Sequence, residues 1–253
     1  MIANVVKTKC LIFRGNVSVL LGDEVVENVK HQKDLGIIIS HDFKWNNHLS
    51  LKLSKAQNLY FFIRNTVPWS TPSAVKFNIY CSTILSVIMY GSPVWLANFS
   101  FLKRLECFQK RCFKWIFGSK FTYEEQLAKH HCLSISLLIE MRTLYLLLDM
   151  LDNKYLFDPS TYIQFQNVKT CRRKATNPLK VIGISHLQEN SFFVRAVNSF
   201  NYFYRQSIID FNDPSNKSNI KKYLLAKDFN MDLRCSYYIC CYCSVCRPLL
   251  SLC

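Results

Sequence analysis

The run FLKRLECFQKRCFKWIF, from Phe101 to Phe117, decides the class of this fold. Phe101, Leu105, Phe108, Cys112 and Trp115 or Ile116 recur every three to four residues, the period of one face of an α-helix. Lys103, Arg104, Lys110, Arg111 and Lys114 fall mostly on the opposite face, and Gly118 ends the run. The same period recurs on both sides of it. Upstream, Trp45, Leu49, Leu53, Ala56, Tyr60 and Ile63 trace the stripe of a helix that starts after Asp42 and is closed by Pro68. Thr71-Pro72 supplies an N-cap and a proline at the first helical position for a second helix, which runs to Tyr90 and stops at Gly91-Ser92-Pro93. Downstream, helices are expected around Glu124 to His130, Ile135 to Leu151 and Phe192 to Ile209, with Gln164 to Asn177 and Asn212 to Lys222 as loose polar stretches.

Only the first forty residues break the helical pattern. Cys10-Leu11-Ile12-Phe13 and Val17-Ser18-Val19-Leu20 flank the turn signal Arg14-Gly15-Asn16, and Val25-Val26 leads towards Leu35-Gly36-Ile37-Ile38-Ile39. The fold class is therefore α+β, mainly α, with a small antiparallel N-terminal sheet followed by a helical bundle. Residues 1–41, 42–158, 159–230 and 231–253 form successive regions: sheet, helical bundle, basic helix-and-loop region and Cys-rich tail.

Composition narrows the partners. Among 253 residues, 32 Lys and Arg stand against 17 Asp and Glu, so the net charge is +15, while 50% hydrophobic residues provide enough apolar surface for a core. Such an excess favours a polyanion, because each Lys or Arg that neutralises a phosphate releases a condensed counterion. The most apolar long stretch, Leu133 to Leu151, carries Glu140, Arg142 and Asp149 and reads as a core helix, not a membrane span. MIANVVKTKC reaches two lysines before any apolar core of a secretion signal forms, so an intracellular location is expected. Of the 12 cysteines, Cys10, Cys81, Cys107, Cys112, Cys132 and Cys171 are scattered through apolar segments and are expected to be buried thiols.

Several chemistries are excluded. The chain has no GxxxxGK[ST], GxSxG, HExxH or GxGxxG motif. Two-metal nucleotidyl transfer needs clustered carboxylates, yet the chain has no Asp-Asp or Asp-Glu step beyond Asp23-Glu24, in a turn between strands. Asp149 and Asp152, one turn apart, read as a solvated helix end.

Taken in order, Asn4-x-x-Lys7-Thr8, the strand Cys10 to Phe13, Lys33-Asp34-Leu35-Gly36-Ile37, the helices, Tyr90-Gly91-Ser92-Pro93-Val94-Trp95 and Leu105-Glu106-x-x-Gln109-Lys110-Arg111 follow a recognisable plan. The set resembles the end of the reverse transcriptase of non-LTR retrotransposons (LINE-type, jockey-like) over nearly the whole chain. The resemblance implies that residues 1–41 are the last palm strands with the primer grip, and that 42–158 are a thumb closing on a template-primer duplex of RNA and DNA. It places Lys7 near the phosphates of an incoming nucleotide, where an ammonium can offset charge or protonate a leaving pyrophosphate. A solvated strand-edge lysine is the competing reading. Leu35 and Gly36 match the primer grip, where glycine lets a nucleic-acid strand approach the backbone, or else form an ordinary tight turn. Tyr90, Gly91 and Trp95 match thumb architecture and not chemistry. Lys103, Arg104, Lys110, Arg111 and Lys114 would track duplex phosphates without reading bases, unless they form a merely solvated face. Arg172, Arg173 and Lys174 make a second basic patch.

Phe193 and Arg195 stand where the family has its aromatic-x-x-Arg segment, one residue closer together than that pattern, but Phe200-Asn201 replaces its Trp-Asn, and no Leu-Pro follows. The tail resembles the short Cys-rich ends of some of these elements. There Cys243-x-x-Cys246, with Cys235 and Cys241 or Cys240, could ligate Zn2+ tetrahedrally, or remain free thiols. His130-His131-Cys132 lacks further nearby ligands and reads as a helix end. The family's paired palm aspartates, which hold Mg2+, its fingers and any endonuclease are expected elsewhere in a parent polymerase, which would leave a palm strand edge open here. The rival classes are a nucleic-acid-binding helical module without polymerase ancestry, with a zinc-binding tail as one form of it, and a helical interaction protein. The 253-residue chain alone is expected to support no magnesium-dependent primer extension; extension by the purified chain would overturn that reading.

Overall fold

The computed structural model describes residues 8–13, 15, 17–95, 99–152, 158–166, 178–182, 191–211 and 213–226. Lys7, Cys171 to Lys174 and the tail cysteines Cys235, Cys240, Cys241, Cys243 and Cys246 lie outside the described residues. Six short strands come first: β1 (Lys9–Cys10), β2 (Leu20–Leu21), β3 (Glu24–Val25), β4 (Glu27–Asn28), β5 (His31–Asp34) and β6 (Ile37–Ser40). They form three separate pairs. β2 and β3 are antiparallel around Gly22-Asp23, and so are β5 and β6, whereas β1 runs parallel to β4. A turn falls at Gly22, whose φ of +66° suits a two-residue connection; of the expected turn Arg14-Gly15-Asn16 only Gly15 is among the described residues, with φ of +78°.

The helices follow the apolar periods closely. α1 spans Asn46–Thr66 and buries Leu49, Leu53, Ala56, Tyr60 and Ile63. The second helix starts one residue later than expected, with Pro72 in the N-cap position. It comprises α2 (Ser73–Ile79), a π-helical turn over Tyr80–Leu85 and α3 (Ser86–Met89). The wide turn is supported by hydroxyls, since Ser82 and Thr83 donate to the Ile79 carbonyl and Ser86 donates to those of Ser82 and Thr83. α4 (Phe99–Phe117), α5 (Tyr123–Lys129) and α6 (Ile135–Leu151) complete the bundle. Its core joins α1, α2, α3 and α4 with the first turns of α6.

A second core lies beyond it. The later half of α6, through Leu144, Leu147 and Leu148, packs with α7 (Phe192–Arg205), α8 (Asn216–Ala226) and the antiparallel pair β7 (Ile163–Phe165) and β8 (Leu179–Val181). Asn201 ties β8 to α7 with two hydrogen bonds: its Oδ1 accepts from the Leu179 N–H at 3.2 Å and its Nδ2 donates to the Leu179 carbonyl at 2.9 Å. Lys217 of α8 pairs with Asp149 of α6 at 2.6 Å, and Tyr145 donates to the Lys217 carbonyl. Asp149 is therefore one half of a structural ion pair. α8 and the β7–β8 pair occupy stretches whose polar composition suggests loop. Among the described residues, no helix is long and apolar enough to cross a membrane.

α6 serves both cores, and its N-terminus is capped from another helix. Buried Glu106 of α4 accepts from the Ser136 N–H at 2.8 Å and from the Tyr123 hydroxyl at 2.8 Å, while Gln109 accepts from the Ile135 N–H at 3.0 Å. Two otherwise orphaned helix donors are thus satisfied, and a carboxylate sits at the positive end of the helix dipole. Replacing Glu106 by leucine is expected to lower stability by about 2–3 kcal/mol in urea unfolding, because buried donors lose their acceptor. Glu106→Gln should cost less, and equal losses for the two would count against the cap.

Candidate nucleic-acid interface

Three segments converge at one end of the bundle. The β5–β6 turn is Leu35-Gly36, between the paired residues Asp34 and Ile37, with φ of +44° and +80°. Positive φ at both positions is the signature of a type I′ hairpin, which glycine and asparagine favour and leucine does not. The strain at Leu35 is of order 1 kcal/mol, offset by a hydrogen bond of similar worth: the Tyr90 hydroxyl donates to the Leu35 carbonyl at 2.6 Å. The Leu35 side chain itself is 83% exposed at the tip. A Cβ on Gly36 would stand 3.4 Å from the Tyr90 ring, so the hairpin lies flat against that tyrosine.

Tyr90 begins the loop that ends α3. Gly91 has φ of +66°, and a Cβ there would meet the Ile37 side chain at 2.9 Å. Fully buried Trp95 donates from Nε1 to the Tyr90 carbonyl at 3.0 Å. Two arginines close on the same loop: Arg142 of α6 donates to the Met89 carbonyl at 3.0 Å and Arg195 of α7 to the Pro93 carbonyl at 2.9 Å. Burial pulls the Arg195 pKa down to about 10, still protonated at neutral pH. Neither arginine carries a sequence signal for this task beyond lying on a helix, and the expected aromatic-x-x-Arg segment turns out to be a clamp on the loop.

α1 links this lock to the basic surface. Lys52 lies 4.3 Å over the Tyr90 ring, and its pKa is lowered by burial first and then by Lys55 and Lys33. Lys33 and Lys55 thus lie near enough to Lys52 to disfavour its charge. On its other side α1 packs on α4, leaving a cleft of about 370 Å³ lined by Leu53, Gln57, Lys103, Arg104, Cys107, Phe108 and Arg111. Lys103, Arg104, Arg111 and Lys114 are exposed, and no described acidic residue pairs with them. Lys110 differs from the other four. It is half-buried, 3.6 Å from Glu124 and 4.9 Å from the Tyr123 ring, because α5 folds over that part of α4. The sequence points to the cations and to Phe108; Leu53 and Gln57 come from the neighbouring helix, which no spacing within α4 could reveal.

Other expected features settle as follows. Cys107 is exposed at the cleft, contrary to the expectation of burial, because it falls between Lys103 and Arg111 on the outward side of α4. Cys112 is buried, and burial raises its pKa to about 12; Cys10, Cys81 and Cys132 are half-buried. His130 caps the end of α5 and stacks on Phe117 at 3.7 Å. Among the described residues no group of three His, Cys, Asp or Glu could hold a metal ion. No family model, curated protein or solved structure matches this chain.

His48 joins the hairpin to α1. Its Nδ1 accepts from the Ile38 N–H at 3.1 Å, which requires the neutral ring, and burial with the nearby Lys52 lowers its pKa to about 4. The unfolded chain takes up a proton at the ordinary value of about 6.5, so stability is complete above that pH and is lost as pH falls towards about 4. His48→Leu is expected to flatten the dependence of the urea midpoint on pH across this window while lowering the midpoint at neutral pH. The same slope in both proteins would refute the assignment.

Proposed function

We propose that this chain is the nucleic-acid-holding region of a non-LTR retrotransposon reverse transcriptase, comprising its last palm strands and thumb. It grips a template-primer duplex and carries none of the paired carboxylates of the polymerase reaction. One observation supports this most: Leu35-Gly36 and Tyr90-Gly91, two motifs of the resemblance separated by 55 residues, meet through the Tyr90 to Leu35 hydrogen bond. A thumb anchored on a primer grip needs such a junction, whereas a helical module of other ancestry has no reason to pair those two motifs. The exposed cations of α4 support the same reading, since a surface of Lys103, Arg104, Arg111 and Lys114, with no acidic partner among the described residues, suits phosphates. In the parent enzyme Mg2+ belongs with the absent aspartates, and Lys7 is the accessory group of this chain.

Binding is expected to ignore sequence and to depend steeply on salt. With those four cations each on a phosphate, the slope of log K against log salt is about −3.6, roughly a hundredfold loss between about 50 and 200 mM salt. Arg104→Ala and Arg111→Ala should each reduce that slope by about 0.9 without changing preference among sequences. Fluorescence anisotropy on a short RNA–DNA duplex measures both, and an affinity indifferent to salt would overturn the proposal.

A further inference from the structure

We infer that the α1–α4 cleft seats an unpaired nucleotide, with the neighbouring base stacked on Phe61, so that the preferred ligand is a duplex carrying a single-stranded extension. This rests on the nucleic-acid reading above and narrows it. A space of about 370 Å³ is at the small end of ligand sites and admits one nucleotide but no double helix. Its chemistry is divided in the manner a nucleotide requires. Leu53 and Phe108 offer an apolar floor, the Gln57 amide can donate to and accept from a base edge, and Arg104 and Arg111, exposed on α4 as well as lining the cleft, present guanidiniums to the phosphate where the strand leaves the duplex. A ligand without a charged group would leave those cations unmatched, and an inorganic anion would leave the floor unused.

Phe61 extends the site. It follows Gln57 by one turn of α1, so both lie on the same side of that helix. The ring is 49% exposed, yet it is steadied by an edge contact with Tyr60 at 5.5 Å. Tyr60 in turn is locked edge-on between Phe108 and Trp115 of α4. A half-exposed aromatic held on a rigid core is a stacking platform that every base can use. Arg64 and Arg111 both approach the Tyr60 hydroxyl, which places positive charge from α1 and from α4 at this end of the cleft.

The test compares a blunt RNA–DNA duplex with the same duplex bearing a short single-stranded extension, at one salt concentration, using the full chain and fluorescence anisotropy. The extension is expected to tighten binding about tenfold, the worth of one stacked base. An abasic extension, which keeps the phosphates and removes the bases, should bring that ratio close to one, as should Phe61→Ala, whereas Phe61→Tyr should keep it. Thermal melting of Phe61→Ala confirms that the variant is folded. If blunt duplex binds and the extension adds nothing, or if the ratio survives Phe61→Ala, the inference falls and the proposed function stands. If neither duplex binds, both fall together.

Discussion

The carbonyl groups released where α3 ends impose the constraint on which the rest of the structure depends. A helix that stops inside a folded chain leaves acceptors that must find donors, and here the donors come from two distant helices and from the loop itself. Arg142 reaches the Met89 carbonyl from α6, Arg195 reaches that of Pro93 from α7, and Trp95 turns back to that of Tyr90. Tyr90 then spends its own hydroxyl on the hairpin. The loop from Met89 to Trp95 is thereby the junction of the strands, the first core and the second. Gly91 is required there because its backbone is left-handed and its α-carbon faces Ile37.

This junction explains why the positive charge of the chain divides into two populations. Arg142 and Arg195 are engaged with backbone, Lys76 is buried and donates to the Trp69 carbonyl beneath the rings of Trp69 and Trp115, and Lys217 and Lys110 have carboxylate partners. These cations hold the fold. Lys33, Lys52 and Lys55, and Lys103, Arg104, Arg111 and Lys114 on α4, have no ion pair with an acidic residue among the described residues. A net charge of +15 says only that a polyanion suits the chain; the partners of each cation say which surface is left to meet it.

The helices were legible because each buries a continuous stripe, and the stripe of α1 from Leu49 to Ile63 is the plainest case. The α4 stripe was equally plain, yet its polar members Glu106 and Gln109 were opaque, since their purpose is to cap a helix 30 residues further on. The β7–β8 pair and α8 escaped for another reason. Strands of three residues alternate too briefly to show a period, and α8 has only Ile220 and Leu224 as fully buried apolar anchors. At the interface, the cations and the Leu35-Gly36 turn were visible in the sequence. What joins them, Tyr90 under Lys52 and the cleft wall from α1, arises from tertiary packing and has no local signature.

α1 finally sets the spacing between the two basic surfaces. His48 fastens it to β6, Lys52 covers Tyr90 at the hairpin, and Gln57 lines the cleft. The rise from Lys52 to Gln57 is about 7.5 Å along the axis, and five residues also turn about 140° around it, so the path between them exceeds two base steps of a strand at about 3.4 Å each. Under the proposed function, a strand whose phosphates met the lysines near the hairpin would arrive at the cleft within a few nucleotides. Because one continuous helix carries His48, Lys52 and Gln57, the hairpin and the cleft are held at a fixed separation. Their joint affinity then depends on a strand matching that length, and a loosened hairpin would forfeit the contact at the cleft as well.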